Sequence, residues 1–395
     1  MPFRLLLILG GLSAFGPLAI DLYLPAFPAM ARSFATDTEH VQLSLSVYFV
    51  GLALGQVFYG PVADRFGRRK PLLFGIGLFT LASLGCALAP TLEWLLVARF
   101  AQALGGCGGM VVNRAVVRDL CSPIESARVY SKLMLVMGIA PILAPLAGGW
   151  LMLVGGWHSI FGFLTLFSAA FWVLVWLRLP ETLPADAPRS RLSGALGSYA
   201  RLLRAPEFMF HALTGGLAMA GMFAYIAGSP FVFIQLYGVP AEHYGWLFGI
   251  NSAGFILAAQ FNGRFLRRRT PLQLLRTTTL CFMAGTLLLP VIALLQTDSL
   301  WPLMLPLFFC MASLALVVPN SSACALAGQG HQAGVASALM GTMQFAIAGV
   351  MSALVGALHD GTAVPMTAII AVCGVGSAGM ALMARRVGSV EFGVR

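Results

Sequence analysis

The run Pro17-Leu18-Ala19-Ile20-Asp21-Leu22-Tyr23-Leu24-Pro25-Ala26-Phe27-Pro28 sets one carboxylate among apolar residues. Asp21 lies about 16 residues into the first apolar segment, which at ~1.5 Å per helical residue is about 24 Å from the segment's start. In a hydrocarbon core about 30 Å thick that is past the midplane and toward the far side. A charged carboxylate there is disfavoured by desolvation, so such a group is suited to bind and release a proton. A helix cap, or a hydrated acid near the outer interface, is the plainer use of an aspartate at this depth, and the sequence leaves both open.

Arg99 is the cationic counterpart, in Arg99-Phe100-Ala101-Gln102-Ala103-Leu104-Gly105-Gly106. A guanidinium inside an apolar span is expensive, so it must face an interior cavity or a partner, or else snorkel to a nearby interface. Asp21 is a candidate partner.

Two further strings have the wrong residues for plain membrane spans. Gly60-Pro61-Val62-Ala63-Asp64-Arg65-Phe66-Gly67-Arg68-Arg69-Lys70 joins small residues that permit a tight turn to an acid at a helix end among cations. Asp64 can pair with an arginine or cap a neighbouring helix. In Ala140-Pro141-Ile142-Leu143-Ala144-Pro145-Leu146-Ala147-Gly148-Gly149, Pro141 and Pro145 remove backbone donors and bend a helix, and Gly148 and Gly149 permit close packing. Polar and aromatic residues scattered through the spans are substrate-contact candidates: Tyr23, Tyr48, Asn113, Tyr225, Phe231, Gln235, Asn251, Asn320 and Gln344. Each is as readily a helix-helix contact. A broad apolar cavity with few polar handles suits amphiphilic molecules.

These residues need helices that lipid can solvate. Of 395 residues 59% are hydrophobic and only 10% charged, against about 25% charged in a soluble domain. Apolar runs of spanning length recur at roughly 5–30, 41–60, 71–90, 94–113, 129–153, 158–178, 208–235, 243–263, 271–296, 300–325, 333–357 and 364–384. Twelve membrane helices are expected. The polar stretch 181–207 divides them into a six-helix bundle over 1–180 and a second over 208–395. Because the runs continue to the C-terminus, the first is read as a genuine span rather than a cleaved signal. The recurrence of Arg-Phe followed by basic residues, at Asp64–Lys70 and again at Gly263–Arg269, points to a duplication.

The net charge of +10 does not indicate nucleic-acid binding. Lysines and arginines cluster in alternate connections, among them Arg65 to Lys70, Arg114 to Lys132 and Arg264 to Arg276, and the opposite side has only Arg32 beside acids such as Asp37 and Asp298. Both termini are therefore expected in the cytoplasm. The seven cysteines form no CxxC pair and read as small buried residues, and no metal or cofactor other than the proton is expected.

The Gly60–Lys70 block resembles the loop signature of the major facilitator superfamily. The resemblance implies a cytoplasmic latch formed by Gly60, Asp64, Gly67 and Arg68, with Asp119 as its partner. Arg99 and Gln102 resemble the fourth-span RxxQG pattern, except that Leu104 displaces the glycine to Gly105; this arginine is linked in the family to proton transfer. Pro141, Pro145, Gly148 and Gly149 resemble the fifth-span antiporter signature of drug exporters. The first-span string around Asp21, with Gly228-Ser229-Pro230-Phe231-Val232 and Asn320-Ser321, is similar to the Bcr/CflA group, closest to its bicyclomycin-resistance members. There the aspartate is associated with proton coupling.

The resemblance implies an all-α, twelve-helix exporter of the bacterial cytoplasmic membrane. It would exchange small amphiphilic drugs, bicyclomycin- or chloramphenicol-like, for protons by alternating access, and work as a monomer. Movement of a small metabolite such as an amino acid or peptide by the same machinery is the alternative. Enzymatic chemistry finds no support: there is no HExxH, no GxSxG with a partner histidine and no paired deep carboxylates.

Overall fold

A computed structural model describes residues 3–121, 123–183, 192–329 and 333–387. Residues 184–191 of the linker, with His331 and Arg395, lie outside this set. Among the described residues every regular element is helical.

The first segment opens as α1, Phe3–Asp21. The expected span over 5–30 corresponds to Leu5–Ser33, with an interruption of the helix inside it. The helix stops at Asp21, passes through a short 3-10 turn at Leu24–Ala26 and resumes as α2, Phe27–Ser33. Pro25 explains the break, since it cannot donate to the carbonyl one turn earlier, whereas Pro28 lies in the first turn of α2, where a missing donor is tolerated.

Then come α3 (Thr38–Phe66), α4 (Arg69–Ala87), α5 (Leu92–Leu120) and α6 (Pro123–Arg178). The last holds two expected spans. Gly156 has φ +63° and Gly155 is also non-helical, so the helix breaks between them. The linker contains α7, Leu192–Leu203. Next is α8 (Pro206–Pro230), which runs into a π-helical turn at Phe231–Leu236. It is followed by α9 (Ala241–Phe265), α10 (Pro271–Leu294), α11 (Trp301–Leu326), α12 (Ala333–Ala357) and α13 (Val364–Val387).

Judged by length and apolarity alone, ten segments among the described residues qualify as spans. Gly138–Arg178 counts once among them and α9 not at all. At ~1.5 Å per residue the 41-residue run Gly138–Arg178 is about twice a bilayer's core, and its break makes it two passes. α9 has no stretch apolar enough to qualify, with Asn251, Gln260 and Asn262 along it.

The chain divides into two compact units, Met1–Leu196 with Ala241–Gly245, and Gly197–Pro240 with Trp246–Arg395. In the first, α5 packs on α3 and α4, and α6 on α1 and α4. In the second, α8 packs on α11, α12 and α13, and α10 on α11 and α13. Large apolar side chains such as Phe74, Leu81, Val154 and Leu166 lie outside, whereas Arg99, Gln102, Asn251 and Thr286 are buried. That distribution fits a molecule dissolved in lipid, not water.

Candidate functional site

Arg99 is fully buried in the first unit. Its guanidinium stands over three rings, with centroids at 4.2 Å for Tyr48, 4.4 Å for Tyr23 and 5.8 Å for Phe161. It donates from Nη2 to the Ala19 carbonyl at 3.0 Å and from Nη1 to Gln102 Oε1. Gln102 Nε2 donates to Ser83 Oγ at 2.7 Å, and Ser83 Oγ to the Phe79 carbonyl at 2.7 Å. The chain thus runs from α1 through α5 into α4. Close approach makes it possible: a Cβ on Gly105 would stand 2.5 Å from the Gly75 carbonyl oxygen and the Phe79 amide. The glycine that falls one place late in the sequence pattern is the one that brings α5 against α4.

The cage comes from separated parts of the sequence. Tyr23 follows the break after α1, and its hydroxyl lies 3.1 Å from Ser44 Oγ on α3. Tyr48 comes from α3 and Phe161 from the second part of α6, 5.6 Å from the Tyr23 ring. The Tyr48 hydroxyl is buried without a partner. Ring faces partly compensate a buried cation, by about 0.5–2 kcal/mol each.

Asp21 is also buried, and its Oδ1 has no hydrogen-bond partner. No ion pair joins it to Arg99. Arg99 instead serves the carbonyl two residues earlier. The structure therefore brings the two sequence candidates into one neighbourhood without pairing their charges.

Asp64, Arg68 and Asp119, the residues expected to form a latch, come together within the same unit. Arg68, 3% exposed, binds Asp64 Oδ1 through Nη1 at 2.5 Å and Asp119 Oδ2 through Nε at 2.8 Å. Burial opposes the charge of Arg68, but hydrogen bonds and attraction from Asp119 and Asp64 outweigh it and raise the pKa above the ordinary arginine value. Glu181, which was not a candidate, completes the cluster. It accepts from the amides of Arg68 (2.7 Å), Arg69 (3.2 Å), Thr182 (3.0 Å) and Leu183 (3.0 Å). Burial pushes its carboxyl up, yet these four donors prevail and hold it below the usual carboxylate range. Gly67 has φ +89°, and a Cβ there would collide with the Glu181 carboxylate. Gly60 faces open space. The available signal was an acid directly after Pro180, at the end of the sixth span.

On α6, Pro145, Gly148 and Gly149 are buried and Pro141 is half-buried. A Cβ on Gly148 would overlap the Leu22 carbonyl oxygen, so this glycine lets α6 press on the break after Asp21.

The remaining candidates separate. Asn113 on α5 donates to the Leu9 carbonyl at 2.9 Å and Ser13 Oγ at 2.7 Å on α1, with its Oδ1 unpartnered. In the second unit, Asn251 Nδ2 donates to the Tyr225 hydroxyl at 2.9 Å, Tyr225 stacks on Phe248 at 5.6 Å, and Asn251 Oδ1 is buried without a partner. Phe231 meets the His359 ring edge-on at 4.2 Å. Asn320 binds Asn262 Oδ1 at 2.9 Å and the Leu316 carbonyl at 2.7 Å, which is a helix-helix contact. Gln344 is half-buried and Gln235 exposed. His211, near the start of α8, is buried with Nδ1 unpartnered, which its place in the sequence did not flag.

Two bundles of membrane-length helices with buried charge and a basic loop closed by acids define a multi-pass membrane transporter. The chain belongs to the Major Facilitator Superfamily, whose model matches residues 8–353. It is 39% identical over 342 residues to an uncharacterized MFS-type transporter, YdgK, of Bacillus subtilis (strain 168), covering 85% of this chain and 84% of that protein. It is 31% identical over 350 residues to the bicyclomycin resistance protein homolog of Haemophilus influenzae (strain Rd), covering 87% of each. The xylose transporter XylE from E. coli, in a partially occluded inward open conformation, shares the fold alone. There the TM-score is 0.75 at 14% identity, over 100% of this chain and 99% of that one.

Proposed function

We propose that this transporter exports small amphiphilic, drug-like molecules across the bacterial cytoplasmic membrane in exchange for protons, by alternating access. The observation that carries the reading is Asp21, a buried carboxylate with an unpartnered oxygen at the broken end of α1. Arg99 binds the Ala19 carbonyl two residues earlier, with its charge held by that carbonyl and by rings. A carboxylate with no cation bound to it is stable in an apolar site when protonated, so this arrangement suits the proton-loaded carrier. Release of the proton would leave an anion that Arg99 can compensate by leaving its cage. Proton and substrate would then favour different states, and each would promote release of the other.

The resistance protein homolog among the relatives supports a drug-like substrate. The basic connections support cytoplasmic termini. In that orientation the Arg68 cluster is the cytoplasmic latch.

The test is a resistance panel in a pump-deficient host, paired with pH-gradient measurements on vesicles holding the full-length protein. Wild type should confer resistance and show substrate-dependent proton movement, and Asp21→Asn should lose both. Full resistance and intact coupling in Asp21→Asn would sink the assignment. Proton movement driven only by amino acids or peptides would replace the drug by a metabolite.

A further inference from the structure

The two halves of the chain use their matching loops differently. In the first, Arg68 is bound by Asp64 and Asp119, and Arg69 donates to the Trp176 carbonyl. In the second, Gly263 stands where Asp64 stands, and Arg267, Arg268 and Arg269 follow in place of Arg68, Arg69 and Lys70. The end of α11, Ala323-Cys324-Ala325-Leu326-Ala327, offers no counterpart to Asp119. Arg264, Arg267, Arg268 and Arg269 are all exposed, and none is ion-paired among the described residues.

The loop is nevertheless ordered by its own backbone. Leu266 N donates to Asn262 O at 3.0 Å, Arg267 N to Arg264 O at 3.3 Å, and both Arg268 N and Arg269 N to Phe265 O at 3.1 Å. A capping box between Thr270 and Gln273 then starts α10. Phe261, Phe265 and Leu266 lie exposed beside the arginines, and Arg264 sits 5.1 Å from the Phe261 ring centroid.

We propose that this loop binds the headgroup of an anionic phospholipid. The guanidiniums take the phosphate, and Phe261 and Phe265 lie along the acyl chains. A topology signal needs only positive charge and would accept lysine. All four residues are arginine, which can bind phosphate oxygens in pairs. Cations without protein carboxylates, next to exposed aromatic rings at the end of a membrane-length helix, complement an anionic membrane surface. The cytoplasmic orientation proposed above would turn the loop toward the inner leaflet, but binding in detergent does not depend on it.

The test uses native mass spectrometry of the full-length protein in detergent, titrated with dioleoylphosphatidylglycerol and, as a neutral control, dioleoylphosphatidylcholine. Each arginine near an anionic surface contributes about fivefold in affinity. Arg267→Gln/Arg268→Gln/Arg269→Gln should therefore weaken phosphatidylglycerol binding by at least about tenfold, while the charge-matched Arg178→Gln/Arg201→Gln/Arg204→Gln should keep it. The corresponding triple lysine variant preserves charge and should retain the fold with weakened binding, so misfolding of the glutamine variant does not hide the answer. Equal losses in the glutamine triple and its control would overturn the site. So would displacement of the lipid by millimolar inorganic phosphate, which would mark a free-anion site. A lipid-free dimer broken by the glutamine triple would assign the loop to a second copy of the chain instead.

Discussion

Arg99 donates to the carbonyl of Ala19 at 3.0 Å, so a buried cation caps the end of α1 two residues before Asp21. The last carbonyls of a helix have no following turn to donate to them and carry partial negative charge. With Pro25 ending the helix, a guanidinium from α5 fills that role. The same group lies against Tyr23 and Tyr48, so the state of Arg99 is tied to the geometry of the break that holds the carboxylate.

Arg99→Lys tests this tie. Lysine keeps the charge but cannot lie flat between two rings while also reaching Ala19 and Gln102. Losing one cation–π contact and one hydrogen bond should lower stability by about 2 kcal/mol. Thermal unfolding in detergent reads the stability, and vesicle proton movement, which should fall to background, reads the coupling. Wild-type coupling in Arg99→Lys would mean that only the charge matters, not the cage.

Much of the architecture was legible in the sequence because lipid forces it to be. Each pass needs an apolar run of about twenty residues, and the breaks at Gly155 and Gly156 fall between two such runs. The interruption after Asp21 was not legible, because a run that stays apolar through Pro25 and Pro28 reads as one span. Asp64, Arg68 and Asp119 come together as their motif implies. The ring partners of Arg99 could not be read. Tyr23, Tyr48 and Phe161 meet only through packing, and aromatic residues in apolar spans carry no sequence mark of a cation nearby. Glu181 was marked only by its place after Pro180, because the backbone amides it binds have no sequence signature.

The two acids on Arg68 should differ in weight. Asp119 is 8% exposed and Asp64 45%. An exposed pair is worth about 0–1 kcal/mol, whereas removing one partner of a buried pair costs about 3–5 kcal/mol. Asp119→Asn should lower the unfolding temperature clearly more than Asp64→Asn. The reverse order would show that the open side of the cluster holds the latch.

Glu181 gives the cluster a pH dependence of definite sign. Its folded pKa lies below the unfolded value because four amide donors outweigh burial. The stabilisation is fully present above the unfolded value of about 4.3 and is lost as pH falls through the lower folded one. Glu181→Gln should be less stable than wild type at pH 7 and should narrow that gap progressively below about pH 4.5. Unfolding temperatures from pH 7 to pH 3 decide it, and a gap that stays constant would exclude titration of Glu181 as the cause.

Gly67 tests the geometry around the same carboxylate. Its φ of +89° strains any residue with a Cβ, and that Cβ would also strike Glu181. Strain alone should cost about 1–2 kcal/mol, as Gly156→Ala should show, since Gly156 has φ +63° and open space around it. Gly67→Ala should cost more than Gly156→Ala because the collision adds to the strain. In a Glu181→Ala background the collision disappears, and Gly67→Ala should then cost only as much as Gly156→Ala. The two substitutions should therefore couple in a double-mutant cycle read by thermal unfolding. Strict additivity would mean that the loop moves aside without engaging Glu181, and that the amide cradle does not fix the turn.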